Sequence, residues 1–412
     1  MIMNIMVAGL GKLGLPLAAV IANAGNKVLG YDKSLPLIES LKNNSFHSSE
    51  PGLLELLQKN NNNLEFYSAL NNDVLKNINL IFIVVPTPSL PSGAFSNEFI
   101  GKTISEIGKV RIPKTRRELV ICIVSTVMPG SCDGEINEYL KTAFGPYEDN
   151  VGLCYHPEFI ALGSVIKNLQ FPDYQLLGVS KSWVLDSVEP IFKSITKSNV
   201  ALLKMSLLEA EIVKLAVNNF LTIKISFANS LLQLEDRFKS VNFHTVTEAI
   251  GLDSRIGLKY LRAGAPYGGP CFPRDTAAMA KLFEDSSVES SFAKFTSKVN
   301  QDFNDYLVKK ILNQTNKSDI IGILGVSYKE NTPVIDGSSA ISIAIGLLKE
   351  GMKIYTWDDE QAAIPNDSIT SIGLEEILNK CDFFVITRNT KYKYFIIEKL
   401  KYDNKKYLDL WN

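Results

Sequence analysis

Apolar positions in this chain fall into short runs of Val, Ile, Leu and Met. Each run is closed by Gly, Pro or Asp, and stretches of helical period lie between them. The run at 3–8 (MNIMVA) leads into Gly9-Leu10-Gly11-Lys12-Leu13-Gly14. A helical stretch follows to Ala24, then a stop at Gly25 and a second run at 27–31 that ends on Asp32. Near-continuous apolar runs suit parallel strands covered on both faces, so this opening predicts a βαβ unit. Runs at 80–85, 119–124 and 151–155 extend the same sheet. From about 202 to 239 there is no Gly or Pro and the period is helical, which predicts one long helix. The last third repeats the opening in weaker form: a strand over 319–324, a turn at Gly325, a helix over 338–350, and a strand over 353–357 ending at Asp358. The pattern predicts an α/β protein with two Rossmann-like, doubly wound domains flanking a helical middle. The second of these lacks the full glycine motif, so it is expected to bind something other than a dinucleotide.

A chain of 412 residues has room for two to three domains. The net charge of −1 argues against non-specific nucleic-acid binding. The five cysteines are scattered, with no C-x-x-C and no His-rich cluster. That spacing offers no metal framework and suits a reducing compartment. No apolar run is long enough to span a membrane. The first residues run straight into the glycine motif without a basic flank, so they read as a first strand and not a leader. The expected location is the cytoplasm.

Candidate chemistry begins at Gly9, Gly11 and Gly14. In G-x-G-x-x-G between strand and helix, the first glycine permits the turn, the second lets a pyrophosphate approach, and the third packs helix on strand. Asp32 closes the second strand about 20 residues on, where an acid bonds ribose hydroxyls and repels a 2′-phosphate. The expected cofactor is therefore NAD and not NADP, although Lys33 is a cation beside it. Three further motifs end strands of the same sheet, where ligands bind in open α/β folds: Val85-Pro86-Thr87-Pro88, Ser125-Thr126-Val127-Met128-Pro129-Gly130 and His156-Pro157-Glu158-Phe159. Cys271 stands in Tyr267-Gly268-Gly269-Pro270-Cys271-Phe272-Pro273-Arg274-Asp275. Glycines allow close backbone approach, prolines stiffen the turn, and a nearby cation favours the thiolate. Lys214 and Asn218 are i, i+4 on the long helix and so share a face. Spacing alone also fits a solvated polar stripe.

Taken together, these motifs resemble the UDP-glucose/GDP-mannose dehydrogenase family of nucleotide-sugar 6-dehydrogenases. The resemblance spans nearly the whole chain. It adds Glu50-Pro51-Gly52-Leu53, Glu211-x-x-Lys214 with Asn218 and Asn219, Arg255-Ile256-Gly257, and Gly325-x-x-Tyr328-Lys329. It implies two successive NAD-dependent oxidations that take a sugar C6 alcohol to a carboxylate. It also implies a homodimer built on the central helical region, with domain limits of 1–198 (NAD-binding), 199–300 (central, carrying the cysteine) and 301–412 (nucleotide-sugar-binding). On the family pattern Cys271 is the nucleophile that traps the aldehyde and carries the thioester. Lys214 and Asn218 stabilise oxyanions at C6, Asp275 assists proton removal and water activation, and Thr126 and Glu158 hold a water. Gly9, Gly11, Leu13, Gly14, Asp32, Pro86, Thr87, Ser125, Thr126 and Arg274 fall at cofactor positions. Glu158, Phe159, Ile160, Lys214, Asn218, Tyr260, Leu261, Gly264, Gly268 and Lys329 fall at substrate positions, and Arg255 matches an arginine that reaches the partner subunit's sugar.

The chain departs from the pattern at four places. His156 stands where Asn is usual, Leu162 where an acid is usual, and Arg274 where Lys is usual. Asp336, seven residues after Lys329, stands where an Arg commonly contacts NAD. UDP-glucose is the first candidate substrate, followed by UDP-N-acetylhexosamines and GDP-mannose. Two other readings compete: a two-electron dehydrogenase of the same fold, which needs no Cys271, and a catalytically silent nucleotide-sugar-binding subunit.

Overall fold

The computed structural model describes residues 3–110, 118–145, 150–289, 291–362 and 364–411. The chain divides into two compact units, Met1–Lys214 and Leu215–Asn412. The division falls inside the helix Leu207–Leu232, here called the central helix.

The first unit holds an eight-stranded sheet. Its strands in chain order are β1 (Asn4–Ala8), β2 (Lys27–Tyr31), β3 (Leu64–Tyr67), β4 (Leu80–Ile83), β5 (Leu119–Ile123), β6 (Val151–Tyr155), β7 (Gln175–Val179) and β8 (Leu202–Met205). Their spatial order is β3-β2-β1-β4-β5-β6-β7-β8. All pairs are parallel except β6 with β7. The order reverses between β1 and β4, which is where a doubly wound sheet opens its crevice. Both faces are buried: Ile5, Val7, Leu80 and Phe82 pack to one side, Met6, Ala8, Ile81 and Ile83 to the other. Two covered faces explain why these strands read as unbroken apolar runs.

The second unit holds the rest of the central helix, the helices Phe243–Gly251, Phe272–Asp285 and Phe292–Leu312, and a parallel five-stranded sheet. Its strands are β9 (Ile320–Leu324), β10 (Lys353–Trp357), β11 (Thr370–Ser371), β12 (Phe383–Ile386) and β13 (Lys406–Asp409), ordered β11-β10-β9-β12-β13.

Three expectations need correction. The helix expected from 202 begins only at Leu207, because 202–205 form β8 on the edge of the first sheet. The start is set by a capping box: Ser206 Oγ accepts from Glu209 N at 3.3 Å, while Glu209 Oε2 accepts from Ser206 N at 2.8 Å. Ser206-Leu-Leu-Glu209 carried that signal in the sequence. The far end also comes early, since the α-helix gives way to a 3-10 turn at Gln233–Asp236. Strands β3, β7, β8, β11, β12 and β13 are additional to those expected. Most are short or carry polar residues, so the run pattern alone does not mark them; β12 is a wholly apolar four-residue run, Phe-Phe-Val-Ile, of the same length as β4.

Candidate active site

The turn after β1 is built for close approach. Gly9 has φ +93°, and a Cβ there would lie 2.3 Å from the Val84 carbonyl oxygen after β4. A Cβ on Gly14 would lie 1.8 Å from Gly9 O. At Gly11 a Cβ would meet nothing within 4 Å, so the turn is closed on both sides and open in the middle. Leu13 then caps the helix Gly14–Asn23. Such an N-terminus presents unpaired amides to an anion. Asp32 accepts from Leu10 N at 2.8 Å and from Ser34 N at 2.9 Å, one bond to each oxygen. A carboxylate has about four acceptor positions, so capacity remains for ribose hydroxyls. Lys33, the cation next to Asp32, pairs with Glu106 at 2.5 Å. These residues fit NAD: glycine turn and helix end for the pyrophosphate, Asp32 for the ribose.

The other strand ends are laced together. Thr87 Oγ donates to Thr126 O at 2.7 Å, and Ser125 Oγ donates to Val85 O at 2.6 Å. Thr87 and Ser125 are buried, Thr126 is half-buried and Pro86 is exposed. Glu50, from the Glu-Pro-Gly-Leu motif, accepts from Ile166 N at 3.1 Å in the first turn of the helix Val165–Gln170. Glu211 accepts from Gly130 N at 2.6 Å and Cys132 N at 2.8 Å, pinning the Ser-Thr-Val-Met-Pro-Gly loop to the central helix. Burial pushes the Glu211 carboxyl above its ordinary range in spite of these bonds.

Lys214 and Asn218 are only 6% and 7% exposed, which removes the solvated-stripe alternative. Lys214 Nζ donates to the Glu158 carbonyl at 2.9 Å and lies 4.9 Å from the centre of the Phe159 ring. Phe159 in turn packs on Tyr174. Ile160 and Leu162 pack against the apolar cluster of the first sheet, so the usual acid at 162 is replaced by an apolar contact. His156 is buried, with Nδ1 2.7 Å from Leu176 O and Nε2 3.0 Å from Glu158 Oε1.

In the second unit, Cys271 is exposed and immediately precedes the helix Phe272–Asp285. A thiol at a helix N-terminus is favoured as thiolate. The other four cysteines are buried, and burial pushes Cys122 and Cys132 well up and Cys381 to about 12. Asp275 is buried one turn on. Its N donates to Cys271 O at 2.8 Å, its Oδ2 accepts from Asn218 Nδ2 at 2.6 Å, and its Oδ1 accepts from Arg274 Nε at 3.2 Å. Arg274, expected at the cofactor, thus commits one donor to Asp275.

The loop before the cysteine is packed to contact. A Cβ on Gly268 would lie 1.9 Å from Gly337 O, and one on Gly269 (φ +81°) 2.6 Å from the Tyr328 ring. Burial, and then the charge of Cys271, push the Tyr328 hydroxyl up to about 12. Tyr328 is a neighbour of the sulfur that sequence reasoning did not assign. Asp336 is exposed beside Gly337, and Lys329 is half-buried one residue after Tyr328.

Several substrate expectations look different in place. Leu261 turns its side chain into a small core with Ala228 and Ala263, so only its backbone could face a ligand. The Gly264 amide is spent on Asn229 Oδ1 at 2.9 Å, and its Cα packs against Trp411. Tyr260 is exposed at φ 65°, uncommon for a bulky residue, with its ring edge on Phe272. The Arg255 side chain is 85% exposed and pairs with Asp253.

The second sheet keeps the turn but not the cradle. Gly325 follows β9 at φ +95°, and Asp358 after β10 accepts from Ser327 N at 2.8 Å, as Asp32 accepts from Leu10 N. Here, however, the Arg388 side chain lies across the glycine and pairs with Asp358 and Asp359.

Comparisons with known proteins match the chain in three consecutive blocks. Residues 3–196 match the NAD binding domain of the UDP-glucose/GDP-mannose dehydrogenase family, 208–302 its central domain and 322–412 its UDP binding domain. A UDP-glucose 6-dehydrogenase from Rickettsia typhi is 30% identical over 361 residues, 86% of this chain and 81% of that protein. One from Rickettsia bellii is 28% identical over 390 residues, 92% of this chain and 87% of that protein. The structure of a UDP-glucose dehydrogenase from Pyrobaculum islandicum superposes with a TM-score of 0.88 at 28% identity, covering 100% of this chain and 95% of that one. No helix among the described residues is long and apolar enough to cross a membrane. Matched in three consecutive blocks and over most of both chains by such relatives, this chain belongs to the UDP-glucose/GDP-mannose dehydrogenase family and is an NAD-dependent dehydrogenase with a nucleotide-sugar substrate.

Proposed function

We propose that the protein oxidises the C6 alcohol of a nucleotide sugar to a carboxylate in two steps, with UDP-glucose as first candidate. The carrying observation is Cys271: an exposed sulfur at a helix N-terminus, above a buried Asp275 whose two oxygens are held by Asn218 and Arg274. NAD supplies the hydride acceptor in each step.

In this reading the Cys271 thiolate adds to the C6 aldehyde, giving a thiohemiacetal, and the second oxidation leaves a thioester that water opens. Lys214 and Asn218 each keep hydrogens beyond those already engaged, and these stabilise the oxyanions at C6. Asp275 fixes Asn218 and assists proton removal, while Glu158 and Thr126 hold the water. Lys329 contacts the nucleotide, and Tyr260, Gly268 and the backbone of Leu261 line the sugar.

The reading includes a homodimer. Phe220, Leu252, Phe292 and Phe295 are large, apolar and 61–71% exposed in the central helical region, a surface that a second copy would cover. Arg255 would then serve the partner's sugar.

Purified protein with NAD and a panel of sugar nucleotides tests the proposal. Two NADH per sugar consumed, lost in Cys271→Ser, is the expected result. One NADH, with Cys271→Ser fully active, favours a two-electron dehydrogenase. Sugar-nucleotide binding with no NADH formed favours a silent binding subunit.

A further inference from the structure

His156 sits in the loop after β6 with its ring against Phe192, centroids 3.9 Å apart. Both ring nitrogens are engaged. Nδ1 lies 2.7 Å from the carbonyl oxygen of Leu176 in β7, and Nε2 lies 3.0 Å from Oε1 of Glu158. A carbonyl only accepts, so Nδ1 carries a hydrogen. Nε2 and Oε1 then face each other, and two lone pairs at 3.0 Å would repel. The contact is attractive only with one proton between them.

Glu158 is therefore held at both ends. Lys214 grips its backbone carbonyl, and His156 grips one carboxylate oxygen. Among the described residues, Oε2 has no hydrogen-bond partner. An asparagine at 156 would reach only as far as Nδ1 does, so it could hold Leu176 but not Oε1 of Glu158. A histidine does both because its two nitrogens sit on opposite sides of a rigid ring.

We propose that His156 is a positioning residue for Glu158: through Nε2 it fixes Oε1 and leaves Oε2 as the oxygen that takes the proton of the hydrolytic water. This rests on the nucleotide-sugar reading above. In the step concerned, the water oxygen bonds to the acyl carbon and its hydrogen passes to Oε2. The carbon–sulfur bond breaks, and the Cys271 sulfur leaves with the bonding pair. No oxidant or reductant is consumed.

Two variants separate positioning from packing. Gln places its amide nitrogen near the position of Nε2 and keeps the donor to Oε1, whereas Asn keeps only the donor to Leu176. In His156→Asn, NADH forms in a first burst at close to the wild-type rate. Turnover then falls ~100-fold, KM changes less than about threefold, and the acyl adduct on Cys271 accumulates. His156→Gln recovers at least ~10-fold of that loss. Equal impairment of both variants, or of neither, overturns the proposal.

A second measurement does not depend on turnover. The chain has only three histidines, so imidazole 15N resonances can be sorted with substitutions at His47 and His244. Glu158→Ala should move the Nε2 resonance of His156 and leave Nδ1 in place. An unmoved Nε2 overturns the pairing whatever the enzyme oxidises. Failure of the wild type to reduce NAD with any sugar nucleotide would instead count against the proposed function.

Discussion

The side-chain amide of Asn218 donates to Oδ2 of Asp275 at 2.6 Å, joining the central helix to the first turn of the helix that follows Cys271. Both side chains are buried, so neither can exchange this bond for water. Asn218→Ala leaves one oxygen of a buried carboxylate unpartnered, which costs about 1–3 kcal/mol. That lowers the melting temperature by several degrees. If Asn218 is an oxyanion donor as proposed, its loss also lowers kcat by roughly 100-fold or more. Thermal melts and single-turnover NADH formation measure the two effects. A variant with normal kcat would remove Asn218 from the chemistry.

Gly11 and Gly14 belong to one motif and should respond to substitution in opposite ways. At Gly11 a Cβ meets nothing within 4 Å, so Gly11→Ala should fold with an unchanged melting temperature and lose NAD affinity by at least ~10-fold, equivalent to about 1.4 kcal/mol. At Gly14 the added Cβ would lie 1.8 Å from Gly9 O, so Gly14→Ala should lose stability before it loses affinity. Calorimetry with and without NAD separates them. A destabilised Gly11→Ala with normal affinity would contradict the proposed pyrophosphate position.

Glu211 supplies a pH dependence of stability. Its folded pKa is raised, mainly by burial. An acid raised in the folded state binds more protons folded than unfolded between the ordinary Glu value and the raised one, so stability falls as pH rises through that window. Gln at 211 removes the titration. It also loses one of the two bonds to Gly130 N and Cys132 N, because an amide nitrogen cannot accept. Glu211→Gln should therefore melt lower than wild type, by a margin that is largest at acid pH and shrinks as pH rises through the window. A constant margin would show that Glu211 does not titrate there.

Much of this was legible in the sequence for simple reasons. Gly9, Gly11, Gly14 and Asp32 are local in the chain, and at Gly9 and Gly14 a Cβ would collide with neighbouring backbone. Strands β1, β2, β4, β5 and β6 are buried on both faces, so their apolar runs are unbroken. The edge strand β8 escaped because Leu-Leu-Lys-Met fits a helix equally well; the Ser206–Glu209 box that ends the ambiguity is a hydrogen-bond signal, not a periodicity.

The site was less legible where partners lie far apart in the chain. Nothing in the spacing shows that Asn218 meets Asp275, that Glu211 caps Gly130, or that Tyr328 borders Cys271. Leu261 and Gly264 were legible as a motif but not in orientation, since only the packed core shows where their side chain and amide are spent. His156 looked like a loop residue until its two nitrogens could be followed to Leu176 and Glu158.

The central claim is that one sulfur carries the substrate between two oxidations. The most direct test is to mix enzyme with NAD and UDP-glucose, quench in acid within the first turnovers, and weigh the Cys271 peptide. A sugar-nucleotide acyl adduct should appear on Cys271, grow with the second NADH, be released as uronate, and be absent from the other four cysteines and from Cys271→Ser. Two NADH per sugar with Cys271 unmodified at every time point would contradict it.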